Sequence, residues 1–165
     1  MAKRYRRASG RVDVVAWWIC SAERTLSEDV AAPPEEVRGF YVDLNNIRLV
    51  HPLVVSVRTI ARTDTADGYA QTYRVHDRIP LGRLTLRTRY VARLHVPVAG
   101  DVIAEARQFP MVRLRSVVTF DGIDGGTRVV EHMRIQAPRL LAAVTVREAV
   151  NAHAAMLSNI ADRLA

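Results

Sequence analysis

The stretch Arg83–Val96, RLTLRTRYVARLHV, has the clearest alternation in the chain. One set of alternate positions is polar or basic and comprises Arg83, Thr85, Arg87, Arg89, Arg93 and His95. The other set is apolar and comprises Leu84, Leu86, Tyr90, Leu94 and Val96. Because successive side chains of a strand point to opposite faces, this period of two predicts a strand with one wet face and one buried face. Such strands are typical of an antiparallel sheet that is solvated on one side.

Other segments rich in β-branched residues extend this pattern in both directions. Strands are predicted at Val54–Arg62, Tyr69–Ile79, Val102–Phe109, Met111–Phe120 and Thr127–Gln136, separated by turns containing Gly, Pro or Asp. A short polar strand, Glu23–Val30, precedes them. The sequence therefore predicts about seven antiparallel strands.

Helices are predicted after the first strand and after the last one. Pro33-Pro34-Glu35-Glu36 favours a helix start, since proline is accepted in a first turn and acids complement the helix dipole there. Asp43–Asn46 ends this helix and can cap a second short one, Ile47–His51. A long helix, Arg139–Leu164, carries an apolar stripe formed by Val146, Val150, His153, Leu157, Ile160 and Leu164. Only this helix is long enough to cover the apolar sheet face, which indicates an α+β fold.

Four short motifs resemble those of a known superfamily. They are Ala32–Val37 (APPEEV), Phe40–Leu44 (FYVDL), His51-Pro52 and Gly125–Val129 (GGTRV). From about Ala22 onward the chain resembles the START-like helix-grip superfamily, and within it the bacterial polyketide cyclase/dehydrase and lipid-transport group.

This resemblance implies a fold and a kind of ligand site. The implied fold is a curved antiparallel sheet wrapped on the long C-terminal helix, with two short helices after the first strand. The implied site is a deep apolar cavity for a lipid-like or aromatic molecule. We therefore divide the chain into a basic N-terminal extension, residues 1–20, and a START-like domain, residues 21–165.

The positive charge of the chain is concentrated at its N-terminus. The 165 residues include 24 basic and 17 acidic ones, and five of the basic residues lie within residues 1–11, where there is no acid. The rest of the chain has 19 basic and 17 acidic residues, which does not indicate a specific nucleic-acid surface. We expect at most a weak contact of the tail with a membrane surface. The apolar run Val14–Cys20 is too short for a secretory signal, so we expect a cytoplasmic protein.

The sequence predicts neither a cofactor nor a metal. It contains no glycine-rich phosphate loop and no nucleotide fingerprint. The five histidines show no i, i+4 pairing of the kind that zinc sites on helices use. The single cysteine, Cys20, excludes an intrachain disulfide.

Three residues are candidates for polar or acid–base chemistry in the cavity. His153 lies on the stripe of the long helix, although a core histidine bonded to backbone fits the same position. His51 ends the second short helix at the expected cavity mouth, although there it also complements the helix dipole. Glu131 faces inward if Val129 and Met133 do, and outward if Val130 and His132 are the buried set. Alternation alone leaves both phases open.

The expected function is binding of a hydrophobic small molecule, such as a lipid or a polyketide-like compound, by a carrier or sensor. The expected ligand-binding residues are Phe40, Tyr41, His51, Tyr73, Leu86, Tyr90, Leu94, Val150, His153 and Leu157. The alternative is a polyketide cyclase, aromatase or dehydratase whose catalytic candidates are His51, Glu131 and His153. A third interpretation is an interaction protein that uses the tail. A His–Glu or His–Tyr pair converging in the cavity would favour the enzyme.

Overall fold

The computed structural model describes residues 18–165, which form one antiparallel sheet and three helices. The elements in chain order are β1 (Ile19–Val30), α1 (Pro34–Val42), α2 (Leu44–Val50), β2 (Val54–Thr65), β3 (Gly68–Leu81), β4 (Leu84–Pro97), β5 (Val102–Gln108), β6 (Val112–Ile123), β7 (Gly126–Pro138) and α3 (Ala142–Leu164). The strand order is β1-β7-β6-β5-β4-β3-β2. The predicted α+β helix-grip fold is confirmed.

Most element boundaries differ by a few residues from those predicted, and helix α2 begins at Leu44 rather than Ile47. Two of the differences have a visible cause. Strand β1 begins at Ile19 rather than Glu23, because Ile19 and Cys20 pair with the last residues of β7, Pro138 and Ala137. Helix α3 begins three residues later than predicted, because β7 continues to Pro138 and the backbone N–H of Arg139 donates to the carbonyl of Trp18 at 2.8 Å. The basic residues of the tail lie in residues 1–17, outside the described part of the chain.

Strands β4 and β7 each bury one set of alternate side chains. In β4 the buried residues are Ala92, Leu94 and Val96, in the predicted phase. In β7 the buried residues are Thr127, Val129, Glu131, Met133, Ile135 and Ala137, whereas His132 is exposed. Glu131 therefore points into the molecule.

The Gly-Gly-Thr turn before β7 fixes the end of β1 and the start of α1. Gly125 has a φ of +83°, a left-handed conformation that favours glycine. A Cβ atom on Gly126 would lie 2.1 Å from the carbonyl oxygen of Val30, so only glycine allows this close approach. The buried hydroxyl of Thr127 donates to the carbonyl of Ala32 at 2.6 Å. These contacts place α1 against the end of the sheet.

A side-chain hydrogen bond joins helix α3 to helix α2. The side chain of Asp43 caps α2 by accepting from the backbone N–H of Asn45 at 2.9 Å, as the sequence predicts. The amide of Asn159 in α3 donates to the carbonyl of Val50 in α2 at 2.7 Å. Helix α3 also packs against β1 and β7. Within residues 18–165 no helix is long and apolar enough to cross a membrane.

Candidate ligand cavity and its polar cluster

A cavity of about 650 Å³ separates α3 from the middle strands of the sheet. Its wall is formed by β2 to β7 on one side and by α1, α2 and α3 on the other. Most of the side chains that line it are apolar, among them Ile47, Leu53, Ile79, Ala92, Leu94, Leu114, Ile135, Ala149, Ala152 and Met156. A space of this size and character accommodates a small organic molecule.

The outer part of the cavity opens to solvent between apolar residues. Leu86, Leu141 and Val144 line the cavity and remain partly exposed. Phe109, which also lines it, is 90% exposed. An apolar rim of this kind lowers the cost of bringing a hydrophobic molecule to the opening.

Six of the ten expected ligand-binding residues line this cavity, and four lie elsewhere. Those that line it are Tyr41, His51, Leu86, Tyr90, Leu94 and His153. Phe40, Tyr73 and Leu157 instead pack into the hydrophobic core. Val150 faces a separate depression beside β1, next to Cys20 and Ala22. The side of α3 that faces the cavity therefore carries Ala149, Ala152 and Met156 rather than Val150 and Leu157.

The three catalytic candidates meet beside this cavity. His51 and His153 line it, and Glu131 is buried next to His153. Glu131 is fully buried, and both of its carboxylate oxygens lie 3.0 Å from Nδ1 of His153. An ionised carboxylate only accepts hydrogen bonds, so Nδ1 carries the proton. This arrangement leaves Nε2 as the free nitrogen of the His153 ring.

The electrostatics of the pair favour its charged form. Burial acts to raise the pKa of Glu131, but the charge and hydrogen bond of His153 outweigh it and lower the pKa below its ordinary value. Burial likewise acts to lower the pKa of His153, but Glu131 outweighs it and the pKa is raised. The result is a buried carboxylate–imidazolium pair.

His51 is the neutral member of the cluster. Its ring packs edge-on against that of His153, with centroids 5.5 Å apart. Burial, followed by the positive charge of His153, lowers the pKa of His51 to about 3. Nδ1 of His51 accepts from the backbone N–H of Leu53 at 3.3 Å, so the proton of the neutral ring is on Nε2.

Tyr41 completes the cluster on the side of α1. Its hydroxyl lies 3.5 Å from Oε1 of Glu131, to which it donates, and its ring packs edge-on against Phe120. Burial and the charge of Glu131 raise the pKa of Tyr41, which keeps the phenol protonated.

Asp77 is a further polar residue of the cavity, and it was not among the residues predicted from the sequence. It lines the cavity on β3 and is 7% exposed. Burial raises the pKa of Asp77 to about 6, against the opposing effects of the Tyr90 hydrogen bond and the charge of His153. The alternation of β3 could have indicated that Asp77 is buried, because Tyr73, Val75 and Asp77 occupy alternate positions on the buried face of the strand.

An antiparallel sheet that grips a long C-terminal helix, with a cavity between them, defines the START-like class of proteins. Residues 21–165 match the family described as polyketide cyclase / dehydrase and lipid transport, and the chain belongs to this family. The resemblance found in the four sequence motifs is thereby confirmed. No curated protein matches the chain by sequence.

Solved structures of this class are similar to the chain over most of its length. A protein of Thermus thermophilus superposes with a TM-score of 0.71 at 17% identity, covering 87% of this chain and 97% of that one. The Zhui aromatase/cyclase from a Streptomyces species gives 0.63 at 18% identity, covering 89% and 96%. A START superfamily protein from Mycobacterium smegmatis gives 0.63 at 15% identity, covering 88% and 99%. At these identities the likeness shows the fold alone.

Proposed function

We propose that the protein binds a mostly apolar small molecule in the cavity between the sheet and α3, as a carrier or sensor. The observation that carries this proposal is the cavity itself, about 650 Å³ in volume and lined mainly by apolar side chains. Apolar surface removed from water contributes ~25 cal/mol per Å², so the apolar wall supplies most of the affinity. The polar cluster orients the ligand, since one neutral hydrogen bond contributes only ~1 kcal/mol.

A pair of tryptophan substitutions in α3 tests this proposal. Ala149 lines the cavity, whereas Ala154 is exposed on the same helix. We expect Ala149→Trp to fill the space and abolish uptake of a fluorescent fatty acid, and Ala154→Trp to bind like the wild type. Titration by fluorescence measures both, and circular dichroism checks the fold. Failure of the wild-type protein to take up either a fatty acid or an aromatic probe would contradict the proposal.

A second candidate function is catalysis of the cyclase, aromatase or dehydratase type. The observation that favours it is the Glu131–His153 pair, because Glu131 holds Nδ1 and leaves Nε2 for a bound molecule. Such a carboxylate–histidine pair is the usual arrangement for proton transfer in enzymes. The histidines of the sheet lack such a partner, since His76 bonds to Ser56, His132 to Thr25, and His95 to the exposed carboxylate of Asp67.

The chemistry that this pair supports is ring closure between two carbonyl-bearing parts of one chain. His153 in its charged form donates from Nε2 to a carbonyl oxygen, while an enol carbon of the same molecule attacks the carbonyl carbon. The new carbon–carbon bond forms, the oxygen keeps the proton as an alcohol, and the neutral imidazole takes the proton released by the attacking enol. Loss of water from the alcohol then gives the unsaturated ring.

Turnover of a linear poly-β-ketone tests the second candidate. We expect a cyclised product, with the mass of the substrate less water, from the wild type but not from Glu131→Gln or His153→Gln. His132→Gln is the matched control, since His132 lies on the same strand but is exposed and bonded to Thr25. Equal product from all four proteins, or from none, would exclude catalysis by this pair and leave the binding function.

A further inference from the structure

We infer that Asp77, Thr88 and Tyr90 form a subsite in the cavity wall that binds a hydroxyl group of the ligand. The inference rests on the proposed binding function and adds to it a recognised chemical group. This subsite lies on strands β3 and β4, whereas the Glu131–His153 pair lies on β7 and α3.

The sheet register brings the three side chains together. Asp77 and Thr88 are direct partners in the antiparallel pairing of β3 and β4. Side chains at directly opposed positions point to the same face, with Cβ atoms ~5 Å apart. Tyr90 follows Thr88 by two residues and therefore shares its face. All three residues line the cavity.

Two polar atoms of this group are buried and lack a partner. Burial and the neighbouring Asp77 carboxylate raise the pKa of Tyr90, which keeps its phenol protonated. Oδ1 of Asp77 and Oγ1 of Thr88 have no hydrogen-bond partner within the described part of the chain. Buried polar atoms are rarely left unpaired in native proteins, because each one costs free energy that water would otherwise recover. Because these two atoms lie on directly opposed residues of adjacent strands, one polar group of a ligand can form hydrogen bonds to both.

A hydroxyl group matches these two atoms better than other common groups. It donates its proton to Oδ1 of Asp77 and accepts one from Oγ1 of Thr88. A ligand carbonyl has no proton for the carboxylate. An ammonium group can only donate, so it offers no acceptor for the threonine proton. The ligand class is therefore an apolar skeleton that carries an alcohol.

The relation to the other polar cluster restricts this ligand further. Asp77 and His153 are close enough for each charge to shift the pKa of the other group. The hydroxyl of the ligand therefore lies in the same cavity as Nε2 of His153. A hydrogen-bond acceptor elsewhere on the same ligand can pair with this nitrogen. The subsite selects for an oxygenated apolar compound over a pure hydrocarbon.

Two matched fluorescent probes test the inference at about pH 7.5, where a carboxyl group with a pKa of about 6 is mostly ionised. The probes are 1-pyrenemethanol and 1-ethylpyrene, which differ by a hydroxyl in place of a methyl group. We expect the wild type to bind the alcohol about five- to tenfold more tightly than the hydrocarbon. Thr88→Val and Asp77→Leu should bring the ratio of the two dissociation constants to about one. Thr85→Val is the control, because Thr85 is exposed on the opposite face of β4 and its loss should leave the ratio unchanged.

The possible results separate the subsite from the proposed function. If the wild type binds neither pyrene probe and no fluorescent fatty acid, both proposals fail. If it binds the fatty acid but neither pyrene probe, the binding function stands and the hydroxyl subsite is wrong. If both probes bind equally well, the binding function stands and the hydroxyl subsite is wrong. The melting temperature of ligand-free Thr88→Val gives a second readout, and we expect it not to fall, since the change removes an unpaired buried hydroxyl. A lower melting temperature together with equal weakening of both probes would show that Thr88 is structural and would overturn the inference.

Discussion

At the scale of single residues, the pKa values of two buried carboxyl groups, Glu131 and Asp77, are displaced in opposite directions. Glu131 is held below its ordinary pKa because His153 outweighs the effect of its burial. Burial raises the pKa of Asp77 to about 6, and its partner Tyr90 is a neutral phenol. Their opposite displacements place a readily protonated carboxyl in the cavity wall and an ionised one next to His153, beside the cavity. Both carboxyls are buried, so burial alone does not explain the difference between their pKa values. The difference comes from their neighbours, a charged imidazole for Glu131 and a neutral phenol for Asp77.

Replacing Glu131 tests how strongly the buried pair stabilises the fold. We expect Glu131→Gln to lower the free energy of unfolding by about 3 kcal/mol, because His153 would stay buried without its counter-charge. Glu105→Gln is the control, since Glu105 forms an exposed ion pair with Arg115 at 3.6 Å. Exposed pairs contribute less than about 1 kcal/mol. Urea denaturation measures both, and losses of similar size would contradict the assignment of a buried ion pair.

The stability that the Glu131–His153 pair contributes depends on pH, and it is lost at both low and high pH. The lowered pKa of Glu131 contributes stability above its ordinary value of 4.5, and this is lost as the pH falls through the folded-state pKa. The raised pKa of His153 contributes stability below its ordinary value of 6.5, and this is lost as the pH rises through the folded-state pKa. We therefore expect the stability difference between the wild type and Glu131→Gln to be largest between these two values. Urea midpoints measured across the pH range check this, and a difference independent of pH would refute it.

At the scale of elements, the buried phase was predictable for β4, undecided for β7, and only partly predictable for α3. A strand has two possible phases, and β4 contains enough apolar residues in one of them to decide. On α3, large apolar residues mark the places where the helix packs tightly, such as Leu157 and Ile160 in the core. The cavity wall needs space and therefore carries small residues, Ala149 and Ala152, whose apolar signal is weak. A stripe of large residues thus predicts the packed side of this helix and not its cavity side.

The hydrogen bond between α2 and α3 gives a prediction for these elements. The Asn159 amide donates to the carbonyl of Val50 at 2.7 Å and so fixes the helix that precedes His51 against the helix that carries His153. We expect Asn159→Ala to lower the free energy of unfolding by about 1 kcal/mol. The NMR signals of the His51 ring should shift as well. Ser158→Ala, at an exposed position next to it, should change neither quantity. A stable variant with unshifted His51 signals would show that this bond does not position α2.

At the scale of the whole molecule, the sheet followed from local patterns and the polar cluster did not. Alternation within the strands and the turn residues between them predicted about seven strands and their positions along the chain. The cluster combines Glu131 from β7, His153 from α3 and His51 after α2, so it depends on how distant elements pack. Each of these residues was a candidate alone, but no spacing in the chain showed that they meet. Asp77 was missed because a lone carboxylate in a strand is usually on the wet face.

The N-terminal boundary of the folded unit gives the last prediction. The first residues of β1, from Ile19, pair with the last residues of β7, where the chain turns toward α3. Removing residues 1–17 leaves every pair of β1 in place, so we expect cooperative melting with a midpoint within about 2 °C of the full chain. Removing residues 1–24 deletes the first half of an edge strand against which α3 packs, and we expect the midpoint to fall by about 10 °C or more. Thermal melts followed by circular dichroism compare the two truncations with the full chain. A large fall on removal of residues 1–17 would mean that the basic segment stabilises the domain and that the folded unit begins before β1.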